Sequence, residues 1–332
     1  MRGWLGKVVA VLGVLALLAV AGCGDDGGGG DDANGDGTTS LVIAATGADS
    51  IPFMAILQVA IDKGWYEEEG LDVSLFSGGG GGDTLRIATS GEADMAIAGN
   101  TAVVLAAQQP DSNLTVVAPW FQVNDISFIT PDADATLDGA VLAFSRAGST
   151  SELTIQAIAN EHPDLGITGQ QVGQPADSWV AAESGQVTAA WALHPFITEK
   201  VEAGGTVLVD ARDEIGDFPM NLVAVNSDYA EDHADELRTF FEVTDRAFDY
   251  VVDDTEDAAA DIAEVMGLDA GLVQRGLEET PELDQAYSLT VVPDALANLS
   301  DLMVSTGQID EPIDWSELLD QQYLPDDARA DL

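Results

Sequence analysis

The sequence predicts an α/β protein of two similar lobes closing on a cleft, and three observations carry that expectation. A strand–helix–strand pattern occurs twice, in register at a constant offset of 94 residues. After Asn221 to Val225 no comparable strand follows, so the remaining chain reads as helical. The 332 residues, 46% apolar, suffice for two cores of ordinary size.

The chain opens with a short basic start containing Arg2 and Lys7, then thirteen apolar or small residues from Val8 to Val20. Such a segment is too short to span a bilayer comfortably and reads as a signal-peptide core. It ends in Val20-Ala21-Gly22-Cys23, which resembles the lipobox of bacterial lipoproteins and places the sole cysteine where lipid would be attached. Residues 1–23 are therefore expected to be a lipoprotein leader with Cys23 lipidated, the other reading being an ordinary secretory signal beside a chance cysteine. Residues 24–39 hold only Gly, Asp, Ala, Asn and Thr and are expected to be a flexible tether, because nothing in them can offset ordering entropy by burial. Asp32 to Gly37 imitates half an EF-hand loop, but Ile43 stands where the bidentate Glu should be.

Leu41 to Ala45 is a continuous apolar run suited to a buried parallel strand. Met54, Leu57, Ile61 and Trp65 then recur at helical spacing, and Gly70 precedes a strand from Leu71 to Phe76. The glycines from Gly78 to Gly82 predict a mobile loop, followed by a helix from Asp83 to Thr89, a Ser90-Gly91 stop, a strand from Asp94 to Ala98 and a helix near Asn100. Downstream the order recurs: strand Ala140 to Phe144, helix Ser149 to Asn160, strand near Gln171 to Gly173, helix Ala176 to Glu183, a Ser184-Gly185 stop and strand Thr188 to Ala192. Setting Ser90-Gly91 on Ser184-Gly185 superimposes Leu85 on Trp179 and Asn100 on His194. From Tyr229 onward Leu237, Phe240, Phe241, Thr244, Phe248 and Val251 form one helical stripe. The expected division is lobe 1 from 40–125 and 222–332, with lobe 2 inserted as 126–221. Two chain crossings then form a hinge, and the C-terminal helices return to the first lobe.

Composition narrows the function classes. The formal charge of −48 becomes −50 once Arg2 and Lys7 leave with the leader, nine basic residues facing 59 acids, which disfavours nucleic acid as a partner. One cysteine and three scattered histidines offer neither a disulfide framework nor a metal site, and no cofactor is expected. HExxH, GxSxG and GxxxxGK[ST] are all missing, so an enzyme is not expected. A secreted hydrolase stays open as an alternative because paired carboxylates are uninformative among so many acids.

Ala60-x-x-Lys63-Gly64-Trp65-Tyr66-x-x-x-Gly70-Leu71-Asp72-Val73 and Ser90-Gly91-Glu92-Ala93-Asp94-Met95-Ala96-Ile97-Ala98 resemble the substrate-binding proteins of ATP-driven importers for nitrate, sulfonates and taurine, a superfamily shared with thiamine-pyrimidine binders and synthases. Leu137 to Ser151, Ala176-Asp177, Ser184 to Val187 and Ala190 to Phe196 extend the resemblance. It implies a type II periplasmic-binding-protein-like fold and a monomeric, extracytoplasmic receptor, lipid-anchored to the cell membrane, that delivers a small anion to an ABC permease and its ATPase. An aromatic, pyrimidine or cationic solute is the alternative ligand. Three departures stand out: five glycines replace the loop after the second strand where sulfonate binders usually carry a Pro, His194 stands where the family often has Asp, and the Cys-rich motif of the synthases is missing.

Candidate ligand contacts cluster at the strand ends. Ser149, Thr150 and Ser151 open a helix whose free N–H groups favour an anion, with Arg146 three residues upstream. The competing reading is that one hydroxyl caps the helix while Arg146 pairs with a neighbouring acid. Gly99, Asn100 and Thr101 offer a second helix start, again as ligand donors or as caps. Thr46, Ser50 and Phe53 belong to the loop after the first strand, Phe53 as pocket wall or core. Trp191 is expected to end a strand at the cleft; Trp120, near the crossing, serves either ligand or hinge packing. His194 sits opposite Asn100 in the repeat and is a ligand contact or an internally satisfied residue.

Overall fold

The computed structural model describes residues 38–332; the leader, Cys23 and all but the last two residues of the expected tether lie outside the described residues. Thr39 is not tether but the first residue of strand β1 (Thr39–Thr46), paired with Leu71 of β2 (Leu71–Gly78). The apolar run becomes a strand covered on both faces, so Leu41, Ile43, Ala44 and Ala45 are fully buried. β3 (Met95–Gly99) is parallel to β1, with Ile43 opposite Met95. β4 (Leu114–Trp120) closes the sheet through the late strand Asn221–Asn226, giving five strands with the late one antiparallel between β3 and β4.

A second layer is built from β5 (Ser127–Thr130), β6 (Val141–Phe144), β7 (Thr168–Gln171), β8 (Ala190–Ala192) and β9 (Thr206–Asp210). The late strand of the first sheet is then β10. β7 pairs with β6, and β5 lies between β8 and β9. A parallel bridge of Leu142 with Ala189, and Ala143 N–H donating to the Ala189 carbonyl at 2.9 Å, join the two groups. The resulting order β7-β6-β8-β5-β9 repeats the first sheet's β2-β1-β3-β10-β4 strand for strand.

The offset of 94 holds at the level of single hydrogen bonds. After helix Gly81–Thr89, Ser90, Gly91 and Glu92 donate to the carbonyls of Arg86, Ala88 and Ile87; after helix Pro175–Glu183, Ser184, Gly185 and Gln186 donate to Val180, Ala182 and Ala181. Gly91 and Gly185 both take left-handed φ, 76° and 72°, which is why the stop needs glycine. Asp94 Oδ2 accepts from Val42 N–H at 2.8 Å, and its counterpart Thr188 Oγ1 accepts from Val141 N–H at 3.0 Å.

Two expectations are corrected. The glycine run is not a loop of its own: Gly78 ends β2, Gly81 opens the next helix, and the turn between them packs on Arg146. The C-terminal helices do not return to the first lobe alone. Helices Ala234–Asp253 and Thr255–Met266 pack on helix Pro52–Asp62, but Ala270–Glu279 packs on Phe196–Glu202 and Pro293–Ser305 on Thr150–Glu161. The cause is local: Gly276 leaves room for Pro195, Arg275 holds Glu202 through Nε and Nη2 at 2.7 and 3.0 Å, and Asn160 donates to the Ser305 carbonyl at 2.9 Å.

The connections between the sheets, 121–126 and 211–220, run side by side. Met220 N–H donates to the Phe121 carbonyl at 2.9 Å, Ala211 N–H to Ile126 at 3.0 Å, and Asn124 N–H to Asp217 Oδ1 at 3.0 Å. The Gln122 side chain ties this crossing to the C-terminal arm, donating to the carbonyls of Ser288 and Thr290.

Candidate functional site

A helix that follows a strand begins at the strand's carboxyl end with unpaired N–H groups pointing outward. Because both sheets are wound alike, residues at the amino ends of five such helices line one space between the lobes, although the first two N–H groups of Asn100–Ala107 are taken by the Met220 carbonyl and Asn100 Oδ1 and Pro52 has none. Ile51 and Phe53 reach it from helix Pro52–Asp62, Gly80 to Gly82 from Gly81–Thr89, Gly99 and Ala102 from Asn100–Ala107, Ser149 to Ser151 from Thr150–Glu161, and Gln174 from Pro175–Glu183. Each helix end carries roughly half a positive charge. Twenty-one residues line this cup, which encloses about 100 Å3; none is acidic and Arg146 is the one cation. In a chain with 59 acids, a lining free of carboxylates favours a negative guest.

Hydroxyl and amide groups supply the polar lining. Ser149 Oγ accepts from Glu152 N–H at 3.3 Å and so caps its helix, while Glu152 Oε2 accepts from Gly148 N–H at 2.6 Å. Ser151 Oγ lies 3.1 Å from Ser145 Oγ and 3.0 Å from Ser149 Oγ. The backbone N–H groups of Gly81, Gly82, Thr150 and Ser151, all residues of the cup's lining, have no acceptor among the described residues. Arg146 Nη1 donates to Asp83 Oδ2 at 2.8 Å across the two lobes, its guanidinium lying against Gly80, where a Cβ would come within 2.9 Å. Capping and acid pairing are thus both realised, at residues that also line the cup.

Of the expected contacts, Thr46, Phe53, Gly99, Arg146, Ser149, Thr150, Ser151 and Trp191 are brought together on the cup. Phe53 serves as wall and core at once, stacked on Phe121 at a centroid distance of 3.9 Å. Trp191 is held by its indole N–H, which donates to the Gly173 carbonyl at 2.8 Å. Ser50 lies outside the cup on a neighbouring groove. Asn100 and Thr101 are fully buried and do not line it. Asn100 Oδ1 accepts from Thr101 N–H, Thr101 Oγ1 and Thr150 Oγ1 at 2.6, 3.0 and 3.0 Å, so Asn100 fastens the lobes together beneath the cup.

Trp120 does not touch the cleft. It is fully buried, set edge-on to Phe248, and its indole N–H donates to the Phe53 carbonyl at 2.9 Å, so it supports the wall from behind. His194 lies beside the cup rather than on it, because Asp125 claims it twice: Oδ2 accepts from His194 N–H at 2.9 Å and Oδ1 lies 2.6 Å from Nδ1. Burial works against the imidazolium, but the charge and hydrogen bond of Asp125, with Glu279 and Asp210 beyond, outweigh it and raise the His194 pKa above its ordinary value.

Sequence reasoning missed Gln174 and Leu193 as lining residues, although the repeat carried the signal. Subtracting 94 places them on Gly80 and Gly99, which also line the cup. Met220 and Asn221 could not be found that way, since they enter from the return crossing.

Two like lobes, strand-end helix starts and a cup closed between them define a periplasmic-binding-protein fold. The chain belongs to the NMT1/THI5-like family, whose model matches residues 52–258. An alkanesulfonate-binding protein, SsuA, from Xanthomonas axonopodis pv. citri bound to MOPS superimposes with a TM-score of 0.65 at 17% identity, covering 85% of this chain and 98% of its own. The CA3427 gene product of Candida albicans, described as exhibiting the generic periplasmic binding protein fold, does so with a TM-score of 0.67 at 15% identity, covering 86% and 98%. At such identities the likeness is one of fold. A Bacillus subtilis (strain 168) protein named as aliphatic sulfonates-binding is 26% identical over 153 residues, 46% of this chain and 45% of the relative; the chain thus matches under half of that relative's length.

Proposed function

We propose that the protein is an extracytoplasmic solute receptor that captures a small organic anion of the sulfonate kind between its lobes and presents it to an ABC permease and ATPase without chemical change. The observation that carries this reading is the cup itself: helix amino ends, unpaired N–H groups and Arg146, which Asp83 pairs from beside the cup, converge on a lining that contains no acidic residue. Sulfonate is the anion named for the relatives, and its three oxygens suit a bowl of N–H and O–H donors. A cationic solute would meet Arg146 and the positive ends of these helix dipoles there. Lipid on Cys23 would keep the receptor at the membrane, and among the described residues no helix is long and apolar enough to cross one. Residues 40–125 and 126–221 act as the two jaws in this reading.

A thermal-shift panel of methanesulfonate, longer alkanesulfonates, nitrate, acetate and tetramethylammonium tests it. A sulfonate at a hundredfold its Kd should stabilise by about 2.7 kcal/mol. Stabilisation by tetramethylammonium and by none of the anions would refute the proposal.

A further inference from the structure

A second space, of about 350 Å3, lies beside the C-terminal arm and shares no lining residue with the cup. Its size falls within the roughly 300–1,000 Å3 usual for small-molecule sites. Asp125 reaches it from the crossing 121–126, Asp210 stands where the crossing 211–220 begins, and Glu279 comes from helix Ala270–Glu279. Asp125 and His194 line it while their chain neighbours Ile126 and Leu193 line the cup, so the same two segments separate the two spaces.

The acids of this lining are not equally free. Asp125 is spent on His194, 2.6 Å from Nδ1. Glu202 is held by Arg275 at 2.7 Å, and Glu279 accepts from Thr198 Oγ1 at 2.6 Å with His194 Nε2 3.7 Å away. Even with His194 charged, four carboxylates face two cations, His194 and Arg275, and the excess falls on Asp210 and Glu279. Asp210 has no cation within salt-bridge distance among the described residues. Its Oδ1 accepts from Arg212 N–H at 2.9 Å, its Oδ2 has no partner among them, and the Arg212 guanidinium is turned to Asp217 and Glu282. Burial, with the charges of Asp213 and Asp125, raises the Asp210 pKa against the help of that N–H, which is the condition of a carboxylate short of counter-charge.

Ser127 is the register partner of Asp210 across β5 and β9. It is only 5% exposed, and its hydroxyl has no hydrogen-bond partner among the described residues. None of their side-chain polar atoms that are sealed from solvent lacks a partner, so the Ser127 hydroxyl opens onto the space that Ser127 lines. A buried polar group left unpaired costs free energy, and such groups mark places where something else completes the bonding. Ile197, Val201 and Val207 add an apolar wall.

We propose that this space is a second binding site, for a primary ammonium ion with a short apolar body, whose N–H groups are taken by Asp210 Oδ2 and Ser127 Oγ. It is independent of the anion reading of the cup and takes the opposite charge. A primary ammonium carries three donors on a compact cation and can serve a carboxylate oxygen and a hydroxyl together, whereas a quaternary ammonium brings charge without donors. An occupant would join both crossings to the C-terminal arm.

The test is calorimetric titration of the whole mature chain with n-butylammonium, tetramethylammonium and calcium, in about 0.15 M sodium chloride to screen the diffuse attraction of the acidic surface. It is repeated on Asp210→Asn and Ser127→Ala. Both variants keep the folded structure's own bonds, since Asn retains the oxygen that accepts from Arg212 N–H and the Ser127 hydroxyl makes none. Butylammonium should bind at one site, at least tenfold tighter than tetramethylammonium. Asp210→Asn should weaken it at least tenfold and Ser127→Ala at least threefold. Absence of butylammonium binding, equal affinities for the two ammonium ions, or an affinity that both variants leave unchanged would overturn the assignment. Calcium bound through Asp210 in place of butylammonium would give the site to a metal ion and overturn it as well.

Discussion

At the scale of single residues, the site is made of groups already occupied with the protein's own needs. Ser149 caps a helix, and Arg146 joins Asp83. Removing both side chains, Ser149→Ala with Arg146→Ala, should cost the helix about 0.5–2 kcal/mol through the lost cap. It should weaken anion binding at least tenfold in calorimetry; unchanged affinity would mean that backbone N–H groups suffice. Asn100 has a harder task, since its Oδ1 receives three donors in a buried place. Asn100→Ala strands them, and should lower unfolding free energy in urea by about 1–3 kcal/mol.

His194 carries a pH dependence. Its raised pKa means that the folded state holds the proton more firmly than the unfolded chain, so the stabilisation is complete below the ordinary value near 6.5 and is lost as pH rises through the folded pKa. The groups facing it are Asp125 at the crossing, Glu279 on the C-terminal helix, 3.7 Å from Nε2, and Asp210 at the end of β9. Asp210 also has a raised pKa, chiefly from burial, and acts with the same sign at lower pH. Melting temperature should therefore fall from pH 6 to pH 9, and His194→Gln should flatten that slope. An identical slope in the variant would assign the dependence to other groups.

At the scale of elements, the repeat was legible because its stops are written in glycine and its strands in unbroken apolar runs. Strands β4, β5 and β9 were not drawn from the sequence. Ser127–Thr130 is only four residues long, and β9 exposes Thr206 and Val207, so neither presents a long apolar run. The path of the C-terminal helices was also hidden, since an amphipathic stripe shows that a helix is buried without showing on what. Gly276 decides the matter for helix Ala270–Glu279: a Cβ there would stand 2.6 Å from Pro195 Cβ. Gly276→Ala should destabilise the protein by about 1–3 kcal/mol through overpacking. Calorimetric melting would reveal it, and a variant as stable as the parent would show that this contact relaxes freely.

At the scale of the whole molecule, charge governs. A formal −48 makes the folded surface repel itself, and the Debye length shrinks from about 10 Å at 0.1 M salt to about 3 Å at 1 M. Melting temperature should rise steeply with sodium chloride toward molar concentration; a flat curve would mean that the acids are already neutralised by their arrangement. Closure is the second global property. The Arg146–Asp83 pair and the Thr150–Asn100 bond already join the lobes, and helices Ala270–Glu279 and Pro293–Ser305 strap the second lobe from outside. Solution scattering should accordingly show compaction on saturation with an alkanesulfonate that is small in amplitude, and Asp83→Ala should enlarge it by opening the free state.

Taken alone, the sequence determined the α/β class, the doubled lobe and the family, because strand hydrophobicity, glycine stops and residue spacing are local properties that burial and backbone sterics impose directly. It also brought most of the cup into view, since residues at strand ends and helix starts must gather wherever two wound sheets face each other. Tertiary structure alone decided that Trp120 stands behind Phe53, that Asp125 holds His194 beside the cup, and that Met266, Leu268 and Leu272 wall a groove next to it. Those outcomes depend on which of many possible partners lies within a few ångströms, and contacts between distant parts of the chain leave no period in the sequence.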